Sequence, residues 1–238
     1  MIDFHVHFGQ LRDGYYDYKK VFDAIFSSGK IDKIIYSLTS SLLPTADYNF
    51  VYKEIKSALN EYPSSIATPL LWFTTKYIEQ GLKIENAMKE LEYGGFKLHP
   101  LCENWNFEND MKQSEVLHEI FDYADKRKMP ILIHTGESGV DRPNRFEQFF
   151  SEYKNAKIIL AHSRTADETI KMMEKYPNVY GDTAFAPMER VKKIKNAGFA
   201  ERLIFGTDFP LTYYYYHEEN GLRLKEQYEE DLKTVSFI

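Results

Sequence analysis

Five of the seven histidines in this 238-residue chain stand at the ends of short apolar runs. They are His5, His7, His99, His134 and His162, and Lys97 and Asp208 occupy equivalent positions. His5-Val6-His7 is the most specific element. On a strand, residues i and i+2 share a face and lie about 6.6 Å apart, close enough for two imidazoles to converge on one metal at about 2.0–2.1 Å each. On a helix the same spacing would turn them apart. Two buried histidines satisfied by neighbours are the weaker reading.

His134 ends the apolar run Ile131-Leu132-Ile133, and His162 repeats the pattern in Ile159-Leu160-Ala161-His162. With the His-x-His pair in the same layer, His134 reads as a metal ligand rather than a hydrogen-bonded core histidine. His162 reads as a nearby acid or polariser. Asp208, in Gly206-Thr207-Asp208-Phe209-Pro210, could cap the segment that follows. Beside three histidines, its carboxylate would supply both an oxygen ligand and a base for an activated water. Three or four protein ligands with an open position describe a hydrolytic zinc site rather than a structural one. Lys97 and His99 share a face by the two-residue period. The lysine could hold a substrate carboxylate, form a carbamate bridging two metals, or cover the rim with its aliphatic stem.

Asp182, in Tyr180-Gly181-Asp182-Thr183, could orient a ligand histidine, contact substrate or cap a turn. An anionic substrate group would need an arginine, and Arg164, Arg142 and Arg145 are the candidates. His118 falls in a helix and His217 in a loop carrying Tyr213 to Tyr216; neither is expected in catalysis. Cys102 lacks a base partner in the sequence and reads as structural.

Eight runs must position these groups: Ile2–Phe8, Lys33–Thr39, Ile66–Phe73, Gly95–His99, Pro130–His134, Lys157–His162, Val179–Thr183 and Arg202–Thr207. Between several of them lie helical patterns at Ala46–Tyr62, Glu79–Tyr93, Lys112–Lys128, Phe146–Tyr153, Ala166–Tyr176 and Met188–Ala197. Strand and helix in alternation predict parallel strands and an α/β fold, a (β/α)8 TIM barrel with the polar residues at its C-terminal face. An open doubly wound sheet would carry a Gly-rich loop after its first strand, where this chain has His-Val-His-Phe-Gly. No linker divides residues 1–238, so one domain is expected. After the eighth strand only Leu211–Ile238 remains, enough for a loop and a helix near Leu222–Lys233 and too short for an added β-sandwich. Substrate choice is expected to lie in the loops Pro100–Met111, with Trp105 and Phe107, and Leu211–Gly221.

Composition agrees with a packed enzyme-sized core: 43% hydrophobic and 16% aromatic residues. A net charge of -6 argues against nucleic acid as a partner, and one cysteine excludes an internal disulfide framework. No apolar run reaches the roughly 18 residues of a membrane span, and Met1-Ile2-Asp3-Phe4-His5 lacks the pattern of a secretory signal. A cytoplasmic protein acting on a small molecule, alone or as a homo-oligomer, is expected.

The chain resembles the amidohydrolase superfamily of metal-dependent hydrolases, specifically the amidohydrolase 2 group. The matching pieces are Ile2-Asp3-Phe4-His5-Val6-His7, Gly95-Phe96-Lys97-Leu98-His99-Pro100, Ile133-His134, Ala161-His162 and Gly206-Thr207-Asp208-Phe209-Pro210, in the family's order. The resemblance implies a distorted barrel with a divalent ion, commonly zinc. His5, His7 and His134 would be ligands, Asp208 ligand and base, and His162 a further ligand or acid. His99, Arg164 and Asp182 are the substrate-binding candidates beside these. One ion is expected; a carbamylated Lys97 would bring two. The group hydrolyses amides, lactones and esters and also decarboxylates aromatic or unsaturated acids. A TatD-type deoxyribonuclease is a more remote alternative, since Lys97-Leu98-His99 stands where its glutamate is expected. A non-catalytic ligand-binding barrel is the other.

Overall fold

A computed structural model describes residues 1–11 and 14–233. The strands are β1 (Ile2–Leu11), β2 (Gly14–Tyr16), β3 (Lys33–Leu38), β4 (Ala67–Pro69), β5 (Leu71–Trp72), β6 (Phe96–Leu98), β7 (Pro130–His134), β8 (Lys157–Ala161), β9 (Val179–Asp182) and β10 (Leu203–Ile204). Each of the eight expected runs forms a strand, the third divided at Leu70 into β4 and β5. The addition is β2, which folds back antiparallel on β1.

The strands form two sheets, ordered β2-β1-β3-β4 and β10-β9-β8-β7-β6-β5. At one seam the chain itself joins them: Leu70 N–H donates to Tyr36 of β3, and Leu71 N–H to Gly95 beside β6, at 2.7 and 2.9 Å. At the other, Phe4 N–H donates to Phe205 O at 2.9 Å and His7 N–H to Phe209 O at 2.7 Å. The result is the parallel strand order of a (β/α)8 TIM barrel, distorted at both seams.

Outside the barrel, helices bury their apolar stripes against the strands. In the helix Met111–Arg127, Leu117, Ile120, Phe121 and Ala124 recur at the three- and four-residue spacing of one face and are buried. Asp110 caps its first turn, accepting the N–H groups of Lys112 and Gln113. Inside, Ile35, Leu70, Leu132, Ile159 and Ala161 form a small separate cluster, with Phe4, Tyr180 and Ile204 against it. This apolar plug is the floor under the polar residues.

β1 departs from simple alternation. Val6 and Phe8 belong to the outer core, whereas Phe4 packs on the inner cluster. The pairing with β3 shifts register between Asp3 and Val6. Such a bulge re-aims side chains, so that Phe4 can fill the floor while the His-x-His pair above still faces inward.

Three helical expectations need correction. Tyr18–Phe26 forms a helix that the sequence reading missed, with Val21, Phe22 and Ile25 buried. Glu79–Tyr93 shrinks to Ile84–Glu90, preceded by a short helix at Thr75–Glu79. The segment carrying Tyr213 to His217 is a helix, Leu211–Asn220, not a loop. It ends at Gly221, whose φ of 65° is the left-handed cap that favours glycine. The helix near the C-terminus spans Leu224–Asp231, and residues 234–238 lie outside the described residues. No described helix is long and apolar enough to cross a membrane.

Candidate metal centre

His5 is completely enclosed, and its Nδ1 lies 2.8 Å from Asp182 Oδ2. A carboxylate beside Nδ1 requires the proton there, which leaves the Nε2 lone pair facing Lys97 and Asp208. His7 repeats the device: its Nδ1 lies 3.0 Å from Ser37 Oγ and 3.2 Å from Ser37 O. The two Nε2 atoms stand 3.3 and 3.0 Å from Asp208 Oδ1. That oxygen is buried and makes no hydrogen bond. Two imidazole lone pairs and a carboxylate oxygen thus converge on one point, each ligand atom within 4.8 Å of the others. The fold supplies Lys97 Nζ to His5 Nε2 at 3.1 Å but no donor to Asp208 Oδ1, and a carboxylate oxygen left between two imidazole nitrogens fits a divalent metal ion.

The second group of potential ligands, His5, His162 and Asp182, is a brace. Asp182 already accepts the His162 N–H at 2.6 Å and the Ala184 N–H at 3.1 Å besides engaging His5. It is fully buried and faces His5 rather than the cavity.

His162 Nδ1 lies 2.9 Å from Ala184 O, so it carries the proton, and its Nε2 accepts from His134 Nδ1 at 2.8 Å. His134 Nε2 lies 3.6 Å from Asp141 Oδ2. His134 is therefore tied to His162 and lies outside the His5–His7–Asp208 group. Its ring also stacks on His99, centroids 3.7 Å apart, and His99 in turn lies parallel to Trp72. Lys97 is buried, with Nζ 3.1 Å from His5 Nε2.

Burial sets the charges. It holds His5, His99 and His162 well below the usual imidazole range and lowers His134, so these rings are neutral and suited to donate lone pairs. Burial also pulls Lys97 down to about 8, against the attraction of Asp208 and Asp182. Burial opposes ionisation of Asp208, but the surrounding imidazoles and Lys97 outweigh it and bring its carboxyl to about 2.

The backbone here is held in unusual conformations. His162, Ser163, Phe185 and Asp208 have φ of 70°, 44°, 49° and 64°. Left-handed geometry costs a non-glycine residue of order 1–3 kcal/mol and is found where a site over-determines it. Asp182 restrains two of the four: its side chain accepts from His162 N–H and its carbonyl from Ser163 Oγ at 2.6 Å.

A cavity of about 360 Å³ opens above the cluster, lined by His7, Trp72, Lys97, His99, His134, His162, Arg164 and Asp208 among others. Leu101, Cys102, Tyr214 and Tyr215 also reach it. Trp105 and Phe107, expected to shape substrate choice, are instead buried in the outer core. Cys102 is exposed at the mouth, its Sγ 3.5 Å from His99 Nε2, a neighbour the sequence did not reveal. Ser37 and Asp141 were also missed. Ser37 was visible only as a polar residue within an apolar strand, and Asp141 sits in a loop without distinctive spacing.

An amidohydrolase family model matches residues 2–233. The chain belongs to the amidohydrolase family. Solved structures agree with this architecture. An amidohydrolase II superposes with a TM-score of 0.60 at 17% identity, covering 100% of this chain and 93% of that one. An amidohydrolase 2 from Bifidobacterium longum subsp. infantis gives 0.60 at 10% identity, covering 100% and 98%. A 4-oxalomesaconate hydratase from Rhodopseudomonas palustris gives 0.61 at 10%, covering 100% and 90%. At such identities the likeness shows the fold alone. No curated protein matches the amidohydrolase chain in sequence.

Proposed function

We propose that this amidohydrolase is a metal-dependent hydrolase of a small molecule, cleaving an amide, lactone or ester bond. The observation that carries this reading is Asp208 Oδ1, buried without a hydrogen bond between the Nε2 atoms of His5 and His7. These three residues would hold one divalent ion, zinc by expectation, with His134 next to them. When bound, such an ion polarises a carbonyl and lowers the pKa of water towards ~7. The hydrogen bonds already made by Asp182 leave the second histidine group as a support, which favours one ion over two.

Asp208, ionised at neutral pH, takes the proton of the attacking water and returns it to the leaving group. Stabilisation of the developing oxyanion, expected of His162, is assigned instead to Lys97 Nζ. Both ring nitrogens of His162 are engaged, whereas Lys97 Nζ, which gives one N–H to His5 Nε2, keeps two further donors on the cavity wall. His162 then acts by fixing the tautomer and orientation of His134. The parallel rings of Trp72 and His99 give the substrate a flat face.

The test is a panel of small esters, lactones and amides assayed for hydrolysis, with carbon dioxide release from aromatic and unsaturated acids recorded alongside. Hydrolysis by the native protein that falls at least about 100-fold in Asp208→Asn supports the proposal. Full activity in that variant contradicts it. Carbon dioxide release without hydrolysis replaces it with the decarboxylase reading on the same scaffold.

A further inference from the structure

The sequence names three arginines for an anionic substrate group, and their surroundings differ. Arg142 pairs with Glu168 at 2.7 Å. Arg145 is forked onto Glu108 and also donates to the carbonyls of Val140 and Trp105. Both are satisfied within the fold.

Arg164 is not. It stands two residues after His162, directly behind the strained pair His162-Ser163, is half-buried, and lines the cavity that holds Asp208 and Lys97. Among the described residues, no carboxylate or carbonyl takes its hydrogen bonds. Its guanidinium instead lies 5.5 Å from the ring centroid of Phe185. Phe185 is held in the left-handed region at φ 49° and stacks on Tyr215. A ring fixed in this way holds the guanidinium by its face and leaves the five N–H donors at its edge for a ligand.

The position of Arg164 adds a second constraint. It also borders a neighbouring cavity of about 800 Å³, sharing that boundary with Phe185 and Tyr215. A group paired with Arg164 would therefore be anchored at the edge of the metal-centre cavity, while the rest of the molecule reached inward to Asp208. Among the described residues, Asp208 is the one carboxylate lining the metal-centre cavity, and Lys97 and Arg164 line it as well. With a divalent ion added, the site carries net positive charge.

We propose that the substrate is a small organic acid whose carboxylate pairs with Arg164 while its reacting group lies at the His5–His7–Asp208 cluster. A single guanidinium without a surrounding cradle of backbone N–H groups matches the single charge of a carboxylate rather than a phosphate dianion. The proposal rests on this cavity being the substrate site but not on hydrolysis, so it is tested by binding.

The probes are acetate, benzoate and phenylacetate, each against its primary amide, with inorganic phosphate as a further arm. They are titrated calorimetrically into the metal-loaded chain and into Arg164→Gln, Arg164→Lys and Arg142→Gln. At least one acid should bind about tenfold or more tighter than its amide, with the preference falling within about twofold in Arg164→Gln and partly restored in Arg164→Lys. Arg142→Gln should leave it unchanged. No preference for any acid, a preference that survives Arg164→Gln, or phosphate binding tighter than every acid would overturn the proposal. Metal content, measured on the same samples, separates this outcome from a failure of the metal-centre reading.

Discussion

Asp182 Oδ2 lies 2.8 Å from His5 Nδ1, and this contact decides which ring nitrogen of His5 faces Asp208. An asparagine at 182 could offer its NH2 to Nδ1 and turn the ring to the opposite tautomer, with a proton on Nε2 where a lone pair is needed. Asp182→Asn should weaken divalent-metal affinity by about 10–100-fold while the fold persists. Competition with a chromogenic chelator reads the affinity, and circular dichroism reads the fold. Unchanged affinity would remove Asp182 from the account.

Gly206 lets the eighth strand approach β1. A Cβ at 206 would lie 2.7 Å from His5 Cβ and 3.3 Å from His5 N, with no flexible side-chain end to yield. Gly206→Ala should therefore displace His5 and lower metal occupancy, with a cost in stability of about 1–3 kcal/mol from overpacking. Metal analysis and urea denaturation measure the two effects, and a variant matching the native protein in both would show that β1 can shift freely.

Asp3 ties the start of β1 to Thr207, the residue before Asp208. Its carboxyl receives N–H groups from His5 and Thr207 and the hydroxyls of Thr207 and Tyr228, the last at 2.9 Å. Burial raises Asp3 from 3.8 to about 7, against these donors. A carboxyl raised on folding contributes stability below its unfolded pKa and loses that contribution as pH rises through the folded value. Tyr228→Phe removes a donor to the ionised form, so its cost should be about 1–3 kcal/mol and should grow from about pH 6 to about pH 8. Urea midpoints across that range test this; a cost that shrinks with rising pH would refute it.

The readable parts of the sequence were those where one residue type carries both a structural and a chemical signal. Ile131 to His134 is an apolar strand ending in a titratable group, and it forms β7 as expected. His5 and His7 share a face because the two-residue period holds from His5 onward. The register shift just below them was not legible, because a bulge depends on pairing with β3 rather than on local composition. The four tyrosines from 213 to 216 concealed a helix for a related reason: a run of one residue type has no apolar stripe, and its state is set by packing and by Gly221. Trp105 and Phe107 resemble loop residues by their neighbours, yet they fill the outer core, Trp105 beside Phe73 and Phe107 beside Phe146 and Phe149. The sequence offered Asp182 as a group that could orient a ligand histidine, but its partner His5, and Ser37 beside His7, depended on contacts between distant strands.

The central claim is that His5, His7 and Asp208 hold one divalent ion. Elemental analysis of protein purified without chelator, as the native chain and as the His5→Gln/His7→Gln double variant, tests it most directly. The account predicts about one ion per native chain and almost none in the folded double variant. A native chain without metal after incubation with zinc, or a double variant that keeps its full complement, would contradict it.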